Sequence, residues 1–272
     1  MAKLYLFTWN LKHKESAHEH LVRHLSARGQ EDLFVACVQE LPGESLIARA
    51  RRSLQAELTD VGISVVPASK SMVPGLALAH HPDMDLNWSH WDEDGEFVAA
   101  IFQLPSSKKQ VAVVGLHAKS KVDMQDLADR GGSRALLRQA INEHRLQRRA
   151  DHLVVLGDFN SAIDDREIRS WHCFYALGRR DRPLGFESRR GVPHPPLYVV
   201  RPRNEDDQGT FKYPDSGVDQ RPIVDFMVVD EGTREQTSTR ILTEISGRPV
   251  WDPAGLLPAL SDHQPVDGLI EI

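Results

Sequence analysis

Eight residues constrain this chain more than any other stretch: Leu153-Val154-Val155-Leu156-Gly157-Asp158-Phe159-Asn160. Four apolar residues rich in Val and Leu form a run too short for a helix, and they read as a buried strand. Gly157 allows a sharp change of direction where the strand ends. Asp158 and Asn160 then fall at the end of a buried strand, where α/β architectures place their chemistry. Taken alone, the same two residues also suit an Asx-type turn.

Other apolar runs end the same way. Lys3 to Trp9 ends at Asn10, Leu33 to Val38 at Gln39-Glu40, and Val111 to Leu116 at His117. Asp225 lies inside Ile223-Val224-Asp225-Phe226-Met227-Val228-Val229, where a carboxylate is costly to bury unless paired. Ser261-Asp262-His263 precedes the last apolar run, Val266 to Ile272. His263 is a plausible partner for Asp225, since an Asp–His pair fixes the imidazole tautomer and favours its charged form. Glu40 and Asp262 are hard oxygen donors that suit Mg²⁺ or Mn²⁺, not zinc.

Between these runs, periodicity predicts helices over 16–27, 44–58, 134–149 and 164–177. A meander of short strands is predicted from Ile63 to Leu116, broken at Pro74-Gly75, Pro82-Asp83, Asp94-Gly95 and Pro105-Ser106-Ser107. A strand is expected near Thr210 to Tyr213. The Pro- and Arg-rich segment from Ser161 to Gln208 reads largely as a long loop. His20 and His24 stand four apart on the first helix and read as exposed residues on a polar face. No repeat or linker divides the 272 residues, so one domain over 1–272 is expected.

Composition narrows the class. Hydrophobic residues make up 40% and charged residues 26%, with a net charge of −6. Broad electrostatic binding of nucleic acid usually needs a basic chain, although a bound cation offsets local acidity at a phosphate site. Cys37 and Cys173 cannot build a disulfide framework or a cysteine zinc site. No run reaches the length of a membrane helix, and no leader is apparent, so a cytoplasmic protein without a membrane span is expected.

In chain order, Thr8-Trp9-Asn10, Gln39-Glu40, Gly115-Leu116-His117, Gly157-Asp158-Phe159-Asn160, Asp225 and Ser261-Asp262-His263 resemble the endonuclease/exonuclease/phosphatase (DNase-like) superfamily. That superfamily includes pancreatic-type DNases, abasic-site endonucleases, inositol polyphosphate phosphatases and bacterial sphingomyelinases. The resemblance implies a four-layer αββα sandwich, with two mixed sheets face to face and helices outside. It implies metal-assisted hydrolysis of a phosphoester with Mg²⁺ or Mn²⁺. Glu40 would bind the metal, with Asp262 and Asn10 nearby. Asp158 would position or deprotonate the attacking water. Asn160 and His117 would hydrogen-bond the scissile phosphate. His263, oriented by Asp225, would stabilise the transition state; in an alternative it is the base. Lys119 and Lys212 would add positive charge at the phosphate.

Departures from the family's branches bear on substrate. Leu41-Pro42 follows Gln39-Glu40 where abasic-site enzymes carry Thr-Lys, and the phosphatases' Trp-Cys-Asp-Arg is replaced by Ile223-Val224-Asp225-Phe226. The chain looks most like the stand-alone bacterial members. The expectation is a phosphodiesterase acting on a phosphate-containing substrate, a nuclease with DNA preferred to RNA, with no obligate protein partner. The alternatives are a phosphomonoesterase of an inositol phosphate or phospholipid headgroup, and a non-catalytic binding module.

Overall fold

The computed structural model describes residues 3–12, 14–40, 63–67, 75–91, 96–105, 107–118, 141, 144–161, 174–175, 197–205, 209–211, 222–251 and 258–272. The helix expected over 44–58, Lys119 and Lys212 lie outside the described residues.

The elements in chain order are β1 (Lys3–Asn10), α1 (Glu15–Gly29), β2 (Leu33–Gln39), β3 (Ser64–Pro67), β4 (Ala77–His80), β5 (Asp85–Trp91), β6 (Phe97–Gln103) and β7 (Gln110–His117). They continue with α2 (Leu146–Arg149), β8 (His152–Asp158), β9 (Phe174–Tyr175), β10 (Leu197–Val200), β11 (Asp225–Asp230), α3 (Glu231–Arg234), β12 (Thr237–Ile241), β13 (Glu244–Ile245), β14 (Arg248–Pro249) and β15 (Val266–Glu271). One sheet has the order β12-β15-β1-β2-β4-β3 and the other β5-β6-β7-β8-β11-β10-β9. Both are mixed: β1 runs parallel to β2 and β7 to β8, while β15 and β11 run antiparallel to β1 and β8. Strands β13 and β14 pair apart from both.

Side-chain alternation explains the layering. In β1, Leu4 and Leu6 face the opposite sheet and join a core with Val35, Cys37, Leu78, Val155 and Phe226. Tyr5, Phe7 and Trp9 point the other way and pack on Ala17, Leu21 and Leu25 of α1. A strand buried on both faces belongs in the middle of a sandwich, with a helix outside it. The α/β sandwich expected from the sequence is therefore present. None of the helices among the described residues is long and apolar enough to cross a membrane.

Some local expectations change. Phe174–Tyr175 is a short strand where a helix was expected, and Leu197–Val200 is a strand inside the expected loop. Edge strand β12, unforeseen in Thr237–Ile241, alternates poorly because it is only half covered. The helix expected to run to Arg149 is interrupted at Arg145, whose φ is +52°, leaving α2 as its last turn. Of the strand expected near Thr210 to Tyr213, Phe211 makes an isolated bridge to His263, and Lys212 and Tyr213 lie outside the described residues.

His24 is a further correction. It is largely buried against the rings of Tyr5 and Phe7, at centroid distances of 6.0 and 5.1 Å. Its Nε2 lies 2.9 Å from the Tyr5 hydroxyl, which donates to Asp267 at 3.2 Å. Arg240 completes the group with a two-pronged pair to Asp267. Burial first, and then Arg28, lower the His24 pKa to about 4. Because the unfolded chain binds this proton more tightly, stability should fall as pH drops from about 6.5 towards 4. The loss from this group is on the order of 2–3 kcal/mol. Denaturant unfolding across that range should show the drop, and His24→Gln should flatten it.

Candidate active site

Strand direction brings the polar ends together. Strands β1, β2, β7 and β8 finish at one rim of the sandwich, and the antiparallel β11 and β15 start there. Asn10 closes β1 opposite Gln39, His117 is level with Asp158, and Asp158 is level with Asp225. All of the described site residues expected from the sequence therefore gather at one place: Asn10, Glu40, His117, Asp158, Asn160, Asp225, Asp262 and His263.

Asp158 is buried and divides its work between its two oxygens. Oδ1 accepts the Asn160 backbone N–H at 2.7 Å, which makes the Asx turn. Oδ2 accepts the Asn10 amide at 3.1 Å and lies 3.9 Å from both His117 Nε2 and His263 Nε2. The Asx turn read from the sequence is present, and the same carboxylate faces the other polar strand ends. Asn160 takes φ +47°, and its amide donates to Ala118 O at 2.6 Å, tying the end of β8 to that of β7. Phe159 points away and stacks on Phe226, with centroids 3.9 Å apart.

Gly157 makes this junction possible. Its φ is +151°, and an added Cβ would sit 1.9 Å from the Leu116 carbonyl oxygen. The two strand ends carrying His117 and Asp158 approach closely only because that atom is missing.

His263 and Asp225 form a buried pair, Nδ1 to Oδ2 at 2.8 Å. Burial alone would strip the imidazole of its proton, but Asp225 and then Asp158 outweigh it and hold the pKa up at about 9. Burial, with Asp158 adding to it, lifts the Asp225 carboxyl to about 6, against the pull of His263. These shifts favour an ionic pair at neutral pH, and Nε2 lies 3.9 Å from both Asp158 Oδ2 and Asp262 Oδ1. His117 behaves alike: burial opposes its charge, but Glu40 and Asp158 prevail and raise its pKa. Its Nε2 is 3.6 Å from Glu40 Oε1.

Glu40 takes φ +48°, a left-handed conformation that turns its carboxylate back across the end of β1. Asn10 donates to its Oε1 at 2.9 Å. Burial works against ionisation, but His117 and Asn10 overcome it and bring the pKa down to about 2. The Asn10 amide thus bridges Glu40 and Asp158, while its Oδ1 accepts the Lys12 N–H at 3.0 Å. Strained non-glycine conformations at Lys12, Glu40 and Asn160, around one rim, are the kind that packing sustains at functional sites.

Three residues to which the sequence assigned no role of their own hold this arrangement. Ser261 donates to Asn10 O at 2.7 Å and accepts the His263 N–H at 3.1 Å. Trp9 donates through Nε1 to His263 O at 3.0 Å. Thr210 Oγ1 accepts the N–H groups of Val224 and Asp225 at 2.8 and 3.0 Å. All act through backbone atoms, which leave little sequence signal.

Two donor sets could receive a metal. Asp158, Asp225 and His263 offer one ligand atom each within 4.8 Å of one another. There His263 Nδ1 and Asp225 Oδ2 are already engaged with each other at 2.8 Å. Glu40 and Asp262 are the better pair. Asp262 Oδ1 is buried without a hydrogen-bond partner, and Oδ2 and Glu40 Oε2 both face the Lys12 ammonium. Two carboxylates that already face one cation offer the hard oxygen donors that fit Mg²⁺ or Mn²⁺.

No protein-family model matches the chain. No curated protein matches it either. Solved structures match over its full length. An endonuclease/exonuclease/phosphatase from Bacteroides vulgatus has 14% identity and a TM-score of 0.61, with 100% of both chains covered. D. rerio TDP2 complexed with single strand DNA product has 12% identity and a TM-score of 0.64, again with 100% of both chains covered. ANGEL2, a 2′,3′-cyclic phosphatase, has 16% identity and a TM-score of 0.64, covering 98% of this chain and 95% of that one. The sandwich described above is the fold of the endonuclease/exonuclease/phosphatase superfamily.

Proposed function

We propose that this chain is a divalent-metal-dependent phosphoesterase that cleaves phosphodiesters, with nucleic acid as substrate and DNA preferred to RNA. The observation that carries the reading is the placement of two imidazoles of raised pKa, each with Nε2 3.9 Å from Asp158 Oδ2, beside the Glu40 and Asp262 carboxylates. Phosphodiester hydrolysis needs an oriented water and positive charge on the non-bridging oxygens.

Glu40 and Asp262 would hold Mg²⁺ or Mn²⁺, and Asn10 would hold Glu40 and Asp158 in register. The ion would neutralise charge on the phosphate and its leaving oxygen. Asp158 Oδ2 orients the attacking water and takes its proton. His263, kept charged by Asp225, donates from Nε2 to a non-bridging oxygen. Its raised pKa favours this donor role over that of base. His117 donates to the same phosphate, with Asn160 holding the loop beside it. Lys119 and Lys212 are proposed as further phosphate contacts.

The proposal of a nucleic-acid substrate draws on the absence of the phosphatases' Trp-Cys-Asp-Arg, on TDP2 in complex with DNA product and on ANGEL2, whose cyclic phosphate is a phosphodiester. Incubation with single- and double-stranded DNA and RNA should give cleavage with Mg²⁺ or Mn²⁺, none with chelator, and recovery when metal is restored. Failure to cut any of them, with good turnover of an inositol phosphate or a phospholipid headgroup, would replace this reading with that of a phosphomonoesterase.

A further inference from the structure

Lys12 stands where the charge of a metal ion would be expected. Its ammonium lies 3.7 Å from Glu40 Oε2 and 3.8 Å from Asp262 Oδ2, the two oxygens best suited to a divalent cation. The side chain is 48% exposed, so it reaches this position from the solvent side and can leave by the same way.

The backbone supports that placement. Leu11 N–H bonds to Gln39 O at 2.9 Å and Lys12 N–H to Asn10 Oδ1 at 3.0 Å, which sets the turn after β1. Lys12 adopts φ +50° within it, a conformation that glycine or asparagine takes at less cost than lysine. The turn itself does not call for lysine.

The position gives the side chain a purpose. The Lys12 ammonium and a divalent cation would face the same two carboxylate oxygens, Glu40 Oε2 and Asp262 Oδ2. Repulsion between a divalent ion and an ammonium sharing two oxygens, at such distances, favours withdrawal.

We propose that Lys12 is a tethered counter-cation that holds Glu40 and Asp262 together in the metal-free protein and is expelled when a divalent ion binds. This inference rests on the metal reading of those two carboxylates given above. It makes Lys12 a competitor of the metal, so its charge lowers metal affinity while it stabilises the metal-free fold. The two effects have opposite signs, and a merely structural lysine would not produce both.

Mn²⁺ alone is the probe. Free Mn²⁺ measured by electron paramagnetic resonance gives a Kd for the natural chain and for Lys12→Met, and thermal unfolding without metal gives the Tm of each. Lys12→Met should bind Mn²⁺ about tenfold more tightly, discounted for the exposure of the pair, and should melt about 2 °C lower without metal. Lys12→Arg keeps the charge and should stay within about threefold of the natural Kd. Equal or weaker Mn²⁺ binding by Lys12→Met than by both the natural chain and Lys12→Arg would overturn the proposal while leaving the metal site standing. If none of the three binds Mn²⁺, the metal reading fails and the proposal falls with it.

Discussion

Replacing Asp158 with Asn should lower phosphodiester turnover by about a hundredfold to ten-thousandfold while leaving the fold intact. Asn keeps the size of the side chain, and its carbonyl oxygen can still accept the Asn160 N–H that Oδ1 accepts at 2.7 Å. What changes is the other position. An amide NH₂ there cannot take a proton from water, and it meets a second donor, the Asn10 amide, where Oδ2 now accepts at 3.1 Å. One unsatisfied donor contact costs about 1–3 kcal/mol, so Tm should fall by a few degrees, far too little to explain a hundredfold loss at assay temperature. The substitution also removes one of the charges that hold the His263 proton, so the basic limb of the rate profile should move to lower pH. Kinetics and melting curves on the same preparation decide the matter. Near-natural turnover in Asp158→Asn, with turnover abolished in His263→Gln, would make His263 the base. Retained function in both would favour a binding module.

The sequence showed the site more clearly than the fold around it. A carboxylate, amide or imidazole at the end of an apolar run is conspicuous, and strand direction did the rest: four runs end and two begin at one rim. Burial of Asp225 within an apolar run already demanded a partner, and His263 meets it at 2.8 Å. Less was readable where a residue works through its backbone or its φ angle. Lys12 looked like any surface lysine, because nothing local announces a left-handed turn that aims it at Glu40 and Asp262. Ser261 and Thr210 act on main-chain atoms far away in sequence. His24 was misjudged because polarity suggests the solvent face, whereas the Tyr5 hydroxyl supplies a buried partner that only the packing of α1 on β1 reveals. Edge strand β12 was missed because a half-covered strand loses the alternation that identifies it, and β10 because its four residues sit within a Pro- and Arg-rich stretch that reads as loop.

Gly157→Ala should be the most damaging single-methyl change at the rim, and Gly75→Ala shows why. The two glycines have nearly the same φ, +151° and +152°, so both substitutions carry the same backbone strain. They differ in what the new methyl meets. Nothing lies within 4 Å of the site of a Cβ on Gly75, whereas a Cβ on Gly157 would lie 1.9 Å from the Leu116 carbonyl oxygen. That oxygen is main chain, so no rotamer change relieves the clash; β7 and β8 must part at the step where Leu116 is level with Gly157. Strain alone should cost Gly75→Ala about 1–3 kcal/mol. Gly157→Ala should lose at least about 2 kcal/mol more, since overpacking a rigid contact adds to the strain. Urea unfolding of both variants measures the difference directly. Because His117 and Asp158 form the next register pair, the parted strands should also cut turnover in whatever fraction stays folded. Equal stability losses in the two variants would mean that the strands are not held this close, and the contact between β7 and β8 that sets His117 against Asp158 would have to be redrawn.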